Sequence, residues 1–321
     1  MIEKERFTMK KVAELIKKSN KAVILPHINA DGDAVGSSMA MKEMLSLLGI
    51  KAEIYTDEPV EERLGFIANG IKVYEGEVCD FDLCIVLDCG DADRLGSRFE
   101  IMQKAKASVC LDHHRTNTGF GDEYVIIPEA SATGEIMFDL CNELGVTMTR
   151  DLARYIYAAI LSDTGGFAYS NTTVKTFTIA SELVKYDINH AEIARLMFDT
   201  VDMNSELIKA ELTKEIKTYC EGKIRAVCAT REICKKFNVD VEEIEGLVDI
   251  PRRIRGTEIA IAIKEHEDHV RVSLRSNEYA DVSKIAMEFG GGGHMRASGC
   301  TIYKTPHEAL KDIVKACEEA I

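Results

Sequence analysis

Residues 21–38 read KAVILPHINADGDAVGSS, and the reading of this stretch decides the fold. Lys21 to Leu25 is a continuous apolar, strand-like run. Directly after it the chain places His27, Asp31 and Asp33 within seven positions. Carboxylates crowded at a strand end repel one another, so the spacing calls for a positive partner among them. The plainer reading is a polar turn, since Asp-Gly-Asp is good turn chemistry. Beyond it, VGSSMAMKEMLSLLG has apolar residues at Met41, Met44, Leu45 and Leu48, the spacing of a helix face. Gly49 serves as its stop, and Met39, Met41 and Met44 read as helix packing.

The same alternation recurs downstream. AEIYT (52–56) reads as a strand, Glu62 to Ala68 as a helix, and DLCIVLD (82–88) and SVCLD (108–112) as buried strands ending in aspartate. Continuous apolar runs alternating with helices predict a parallel sheet covered on both faces. Ligands of such sheets bind just beyond the carboxyl ends of the strands. Four acidic clusters fall there: His27, Asp31 and Asp33; Asp88 in LDCGD; Asp112, His113 and His114 in LDHH; and Asp163 in SDTGG, after the helical stretch Arg150 to Leu161.

After a long helical segment from His190 to Cys220 the pattern changes. KIRAVCA (223–229), TEIAIAIKEH (257–266) and HVRVSLRS (269–276) read as strands, the last two as a hairpin around Glu267-Asp268. A helix (281–289), the glycine run GGGGHMRASG (290–299), a strand (300–303) and a helix from His307 to Glu319 complete the chain. The expected organisation is a catalytic α/β domain over 1–189, a helical connector over 190–220 and a smaller α/β substrate-binding domain over 221–321.

Composition narrows the function. The 321 residues hold 54 Asp and Glu against 40 Lys and Arg, a formal charge of −14. That disfavours a long electrostatic track for duplex nucleic acid, but not a small phosphorylated ligand held by metal ions and a few local cations. No apolar run approaches the length of a bilayer span. The start, with Phe7, Val12, Leu15 and Ile16, reads as an amphipathic helix and not as a signal peptide. Ten cysteines without a C-x-x-C pair read as buried reduced thiols, and a cytoplasmic protein without a membrane partner is expected.

Several carboxylates converging in one crevice need divalent cations. Hard oxygens suit Mg²⁺ and Mn²⁺, imidazole favours later metals, and Mn²⁺ is the compromise. So many ligands suit two ions, which about 3.5–4 Å apart can clamp an in-line phosphoryl displacement. Asp88, at the end of a central-looking strand, is the natural bridge. The four glycines at 290–293 let backbone amides approach an anion; His294, Arg296 and Arg275 add charge there. The competing reading is a flexible linker. Arg115 and Asn117 read as substrate contacts or solvated loop residues. Ser131 to Glu135 reads as a helix cap with Glu135 as partner. His190, His266, His269 and His307 read as surface residues.

His27-x-x-x-Asp31-x-Asp33, Asp88, Asp112-His113-His114 and Asp163-Thr164-Gly165 together resemble the four motifs of the DHH phosphoesterase superfamily. GGGGH (290–294), preceded by VSLRS (272–276) and followed by RASG (296–299), resembles the DHH-associated (DHHA1) domain. A compact two-domain chain of this length is most similar to the nanoRNase/pAp phosphatase (NrnA-type) group.

The resemblance implies two Mn²⁺ ions, with Mg²⁺ or Co²⁺ as alternatives. His27, Asp31 and Asp88 would hold the first, and Asp33, Asp88, His113 and Asp163 the second. Asp112 would orient a histidine, and His114 would face the substrate. Arg275, Ser276, Gly291, Gly292, Gly293, His294 and Arg296 would form the substrate site across a cleft, with the connector as hinge. The implied substrates are short oligoribonucleotides and 3′-phosphoadenosine 5′-phosphate (pAp); the resemblance also admits a homodimer. Rival readings are a phosphodiesterase for cyclic dinucleotides or their linear products, a manganese pyrophosphatase, and a non-catalytic nucleotide-binding regulator.

Overall fold

The computed structural model describes residues 3–76, 80–244 and 246–321, with backbone only for residues 3–7, so the reading of Phe7 lies outside the described residues. The chain divides into two compact units, Met1–Thr200 and Val201–Ile321.

The first unit is built on strands β1 (Lys21–Pro26), β2 (Lys51–Thr56), β3 (Ile71–Val73), β4 (Leu83–Leu87), β5 (Ser108–Asp112) and β6 (Glu123–Ile126). They form one sheet in the order β3-β2-β1-β4-β5-β6, and every pairing is parallel. Its helices are α1 (Glu3–Lys18), α2 (Gly32–Leu47), α3 (Phe99–Lys104), α4 (Thr133–Leu144), α5 (Arg150–Asp163), α6 (Val174–Val184) and α7 (His190–Ala194).

Period-two burial shows why the central strands read as unbroken apolar runs. Ala22 and Ile24 of β1 enter one core, with Met9, Val12 and Ile16 of α1 and Met41 and Met44 of α2. Val23 and Leu25 enter the opposite core, with Cys84, Val86, Cys110 and Ile101. Both faces are covered, so neither carries polar residues. At about 25 cal/mol per Å² of apolar area, such two-sided burial dominates the stability of this unit.

Three expectations need correction. Residues expected as a helix over 62–68 form only a 3₁₀ turn, Glu62–Leu64. The edge strands β3 and β6 have no counterpart in the sequence reading. The supposed long helix over 190–220 is broken: α7 runs into one π turn (Arg195–Asp199), Thr200 is extended, and α8 (Met203–Lys214) starts afresh with Asp202 as its cap.

The second unit has strands β7 (Lys217–Tyr219), β8 (Ile224–Ala229), β9 (Ile259–Glu265), β10 (Val270–Ser276), β11 (Gly292–His294) and β12 (Ala297–Ile302). Their order is β11-β12-β10-β9-β8-β7, antiparallel except for β8 and β9. Helices α9 (Arg231–Phe237), α10 (Asp249–Arg252), α11 (Val282–Glu288) and α12 (Pro306–Glu318) complete it. Ile259, Ile261 and Ile263 face a core shared with Ile285 and Ile313. Ala260 and Ala262 face a second core under Leu212 and Cys234. The hairpin expected around Glu267-Asp268 is present as β9 and β10.

Among the described residues no helix is long and apolar enough to cross a membrane, and all nine described cysteines are free.

Candidate functional site

In the first unit's sheet the chain moves outward one way from β1 through β2 to β3, and the other way from β4 to β6. The switch point therefore lies between β1 and β4, where adjacent strand ends leave a crevice. His27 follows β1 and Asp88 follows β4, so the first and second acidic clusters flank that crevice. Asp112 ends β5, Asp163 ends α5, and Asp33 sits in the first turn of α2.

Asp31 caps α2: its Oδ1 accepts from the amides of Asp33 (3.0 Å) and Ala34 (3.1 Å), leaving Oδ2 3.8 Å from His27 Nε2. The glycine between the two aspartates is there for space, not for a turn. A Cβ on Gly32 would lie 2.5 Å from Ser162 Oγ, so its absence lets the end of α5, with Asp163, pack against the start of α2.

Asp33 is completely buried. It accepts from Ser37 Oγ (3.0 Å) and from the amides of Thr133 (2.7 Å) and Gly134 (3.0 Å), the first turn of α4. Thr133 Oγ1 donates to Asp88 Oδ1 at 3.0 Å. The start of α4 thus serves two motif carboxylates with free helix N–H groups and a hydroxyl. This corrects the capping reading of 131–135. Ala132 is the cap and offers no side-chain bond, and Ser131 Oγ instead donates to the buried Glu135 carboxylate at 2.7 Å. Nothing in the local pattern announces that the partner of this helix start is an aspartate 100 residues away.

Asp88 has φ +55, a left-handed conformation that costs a residue with a Cβ about 1–2 kcal/mol. Its amide bonds the Leu111 carbonyl and its carboxylate bonds Thr133, which hold it there. Strain held in place at a strand end is common where a side chain must be aimed. His27 Nε2 lies 3.7 Å from Asp88 Oδ2, and His113 Nε2 lies 3.5 Å from Asp88 Oδ1. His113 Nε2 is also 3.4 Å from Asp163 Oδ2 and 3.8 Å from Asp33 Oδ2.

Both of these imidazoles turn Nδ1 toward a carbonyl, Ile28 at 2.6 Å and Ala130 at 3.2 Å. An Nδ1–H donating there leaves each Nε2 lone pair facing the carboxylates, the tautomer a metal ligand requires. Arg94 Nη2 lies 3.0 Å from the same His27 Nδ1. The shorter Ile28 contact assigns the proton, and Arg94 sits beside the site as a cation the sequence reading missed.

His114 is arranged differently. Its Nδ1 donates to Asp112 Oδ1 at 2.7 Å, and Asn117 Nδ2 donates to Asp112 Oδ2 at 2.7 Å. Asn117 is buried and also donates to the Cys89 carbonyl, so it supports Asp112 and is not a solvated loop residue. Arg115 is exposed.

The electrostatics follow from crowding. Asp33 and Asp88 are pushed above the ordinary carboxylate range, first by burial and then by neighbouring carboxylates. Asp163 is pushed up to about 6, first by burial, with Asp88 and Asp31 adding to the rise. Burial of His27 disfavours its charged form, yet the Asp31 contact, the Ile28 carbonyl and Asp88 hold its pKa above the usual imidazole value. The Asp112 hydrogen bond raises His114 to about 9. For Asp112, burial opposes the charge, but His114 and Asn117 hold its pKa below the usual range.

Three donor groups, His27–Asp31–Asp88, Asp33–His113–Asp163 and Asp88–His113–His114, each keep their ligand atoms within 4.8 Å. Asp88 is shared between the first and the third, as a bridging carboxylate would be. A set of crowded, mutually repelling carboxylates, with Asp33 and Asp88 buried, and Nε2-exposing histidines fits divalent cations, and His27, Asp31, Asp33, Asp88, His113 and Asp163 could hold a pair of them.

The candidate substrate residues of the second unit are described on their own. Gly292–His294 is an edge strand paired with β12, which corrects the flexible-linker reading. A Cβ on Gly291 would lie 2.2 Å from the Gly299 carbonyl, and one on Gly293 2.5 Å from the Ala297 carbonyl, so these glycines permit the hairpin itself. His294 and Arg296 are exposed, and Arg275 is half-buried. Ser276 is buried, and its hydroxyl donates to the Ala280 carbonyl at 2.6 Å. Of the histidines read as surface residues, His266 is half-buried and stacks on His269 with ring centroids 4.5 Å apart.

Comparison with known proteins agrees with this architecture. Residues 21–160 match the DHH family, N-terminal domain, and residues 225–321 match the DHHA1 domain. The chain is 30% identical over 316 residues to a protein of Streptococcus mutans named probable bifunctional oligoribonuclease and PAP phosphatase NrnA, covering 95% of this chain and 99% of that one. It is 28% identical over 299 residues to the Thermus thermophilus protein named bifunctional oligoribonuclease and PAP phosphatase NrnA, covering 92% and 88%. A crystal structure of an exopolyphosphatase-related protein from Bacteroides fragilis superposes with a TM-score of 0.91 at 25% identity, over 98% of this chain and 96% of that one.

Proposed function

Since the chain belongs to the DHH phosphoesterase family, most like its NrnA group, we propose that it is a divalent-metal phosphohydrolase that degrades short oligoribonucleotides and dephosphorylates pAp. One observation carries the reading: His27, Asp31, Asp33, Asp88, His113 and Asp163, from four separate segments, converge on one strand-end crevice with Asp88 shared. The names of the relatives supply the substrate class.

His27, Asp31 and Asp88 would hold one ion, and Asp33, Asp88, His113 and Asp163 a second, with Mn²⁺ the best match to the mixed donor set. Bound divalent ions supply charge neutralisation at the phosphoryl group and lower the pKa of water. The chain's own residues do the rest. The α4 amides and Thr133 fix Asp33 and Asp88, so the ligands are positioned before any ion arrives. Asp112 and Asn117 hold the His114 ring, and the hydrogen bond to Asp112 raises its pKa and so favours its protonated form. From there it donates a hydrogen bond or a proton to a phosphoryl or leaving oxygen. Arg275, His294 and Arg296 would hold a substrate phosphate on the second unit, Arg by a bidentate grip. The free thiols fit a reducing, cytoplasmic setting.

Assaying pAp, a ribo-dinucleotide and cyclic di-AMP side by side tests this. Turnover of the first two in Mn²⁺, lost with a chelator and lost in Asp88→Ala with its circular dichroism unchanged, is the expected result. Preferred turnover of cyclic di-AMP would replace this reading with a cyclic-dinucleotide phosphodiesterase.

A further inference from the structure

The second unit carries another concave basic surface that the reading above leaves unused. Residues 252–256, RRIRG, line a cavity of about 510 Å³ together with Lys223 and Tyr279. Three arginines in four positions are conspicuous on a chain with a formal charge of −14. Their pairing is incomplete. Arg252 Nε pairs with Asp249 Oδ1 at 3.0 Å, whereas Arg253 Nε reaches only the Asp249 backbone carbonyl at 3.2 Å. Among the described residues Arg253, Arg255 and Lys223 have no carboxylate partner.

Two carboxylates line the cavity as well. Glu258 is buried and spent: it accepts from the amides of Glu278, Tyr279 and Ala280. Glu278 is exposed at the rim. The cationic turn is pinned, since Asn277 Nδ2 donates to the Arg252 carbonyl (3.1 Å) and the Thr257 carbonyl (2.7 Å). Tyr279 is half exposed, which leaves its ring accessible.

The cavity adjoins the candidate phosphate-holding patch of the same unit. The segment 276–280 joins the two: Asn277 and Tyr279 line the cavity, while Ser276 Oγ and the Ala280 carbonyl accept from Arg296 Nη1 at 3.3 and 3.2 Å. Guanidinium groups grip phosphate oxygens in a fixed fork, and an exposed ring stacks on a base of any identity.

We propose that this pocket binds a second backbone phosphate of the substrate, one not being cleaved, with an adjacent base stacked on Tyr279. The inference rests on the short-oligonucleotide reading and deepens it: chains with a further phosphodiester gain a contact that pAp cannot make.

The test compares 5′-phosphorylated tetra-adenylate with pAp in Mn²⁺, using the full chain and its Arg253→Ala/Arg255→Ala and Tyr279→Ala variants. For the double variant KM for the tetramer rises about tenfold with kcat within twofold, while both constants for pAp stay put. The salt dependence of the tetramer KM also becomes shallower. For Tyr279→Ala the tetramer KM rises several-fold, and Tyr279→Phe restores it. An unchanged tetramer KM, or an equal rise for both substrates, overturns the proposal. Fluorescence anisotropy of labelled tetra-adenylate in chelator separates this from the functional reading. If the wild-type chain turns over neither substrate, that reading fails, and the pocket then stands on a lower tetramer affinity in the double variant and falls on an equal one.

Discussion

At the scale of single residues, the site divides into groups that face the crevice and groups that hold them. Asp112 belongs to the second kind: buried, between His114 and Asn117, it fixes one ring. Asp112→Asn removes the charge and keeps the shape. Loss of such a supporting carboxylate costs activity about 10–100-fold. The hydrogen bond to Asp112 is the first cause of the His114 value of about 9, so in Asp112→Asn that value falls toward the ordinary imidazole range. Proton NMR titration of the metal-free protein reads the shift directly. Asp88→Asn makes the opposite trade. Burial and neighbouring carboxylates raise its pKa, so its charge destabilises the metal-free fold. Activity is expected to vanish while the chelator-treated variant unfolds at the same or higher urea concentration than the parent. A variant melting well below the parent would show that Asp88 is structural.

At the scale of elements, two close approaches set where the ligands stand. A Cβ on Gly36 of α2 would lie 2.8 Å from the Tyr155 carbonyl of α5, and one on Gly134 of α4 2.8 Å from Ala159 Cβ. These helices carry Asp33 and Asp163 and bond Asp33, so the small residues at their crossings set the ligand spacing. Gly36→Ala overpacks the crossing at about 1–3 kcal/mol, read from urea midpoints, and lowers metal affinity because Asp33 and Asp163 move apart. Arg98 works at the other rim. Fully buried, it donates through Nη1 to the Pro26 and Tyr55 carbonyls, tying β2 to the end of β1 immediately before His27. Arg98→Met orphans both carbonyls and should cost roughly 2–3 kcal/mol.

Much of this level is legible in the sequence. KAVIL, LCIVL and SVCLD announce themselves because both sheet faces are covered, and each motif lies where such a strand or a helix ends. What stayed hidden depends on distant partners. β3 and β6 are short edge strands, β3 without a fully buried residue and β6 with only Val125 buried, and they lack the apolar run. The Thr133–Asp88 bond, the α4 amides on Asp33 and the Asn117 prop join residues far apart in the chain or local patterns with a commoner meaning. The pairing of the glycine run stayed hidden because nothing in GGGG shows that Gly299 and Ala297 lie against it.

At the scale of the whole molecule, each unit has its own cores, so metal binding should stabilise one and not the other. All the candidate ligands lie in Met1–Thr200. At a hundred times Kd a bound ion adds about 2.7 kcal/mol to that unit alone. Calorimetry should show one transition that moves with Mn²⁺ and one that does not. The sign of the pH dependence follows from the carboxylates. Asp163, with a value of about 6, and Asp33 and Asp88, also raised, bind protons more tightly folded than unfolded. Their contribution is therefore fully present below the unfolded carboxylate range near about pH 4 and is lost as pH rises through the folded values. In chelator the first unit should weaken between pH 5 and pH 7.5. Mn²⁺ needs those groups ionised and competes with protons for them, so the shift it causes should be larger at pH 7.5 than at pH 5. Equal shifts at the two pH values would mean that the ion binds elsewhere than among these buried carboxylates. A shift in both transitions would mean that the two units do not unfold separately.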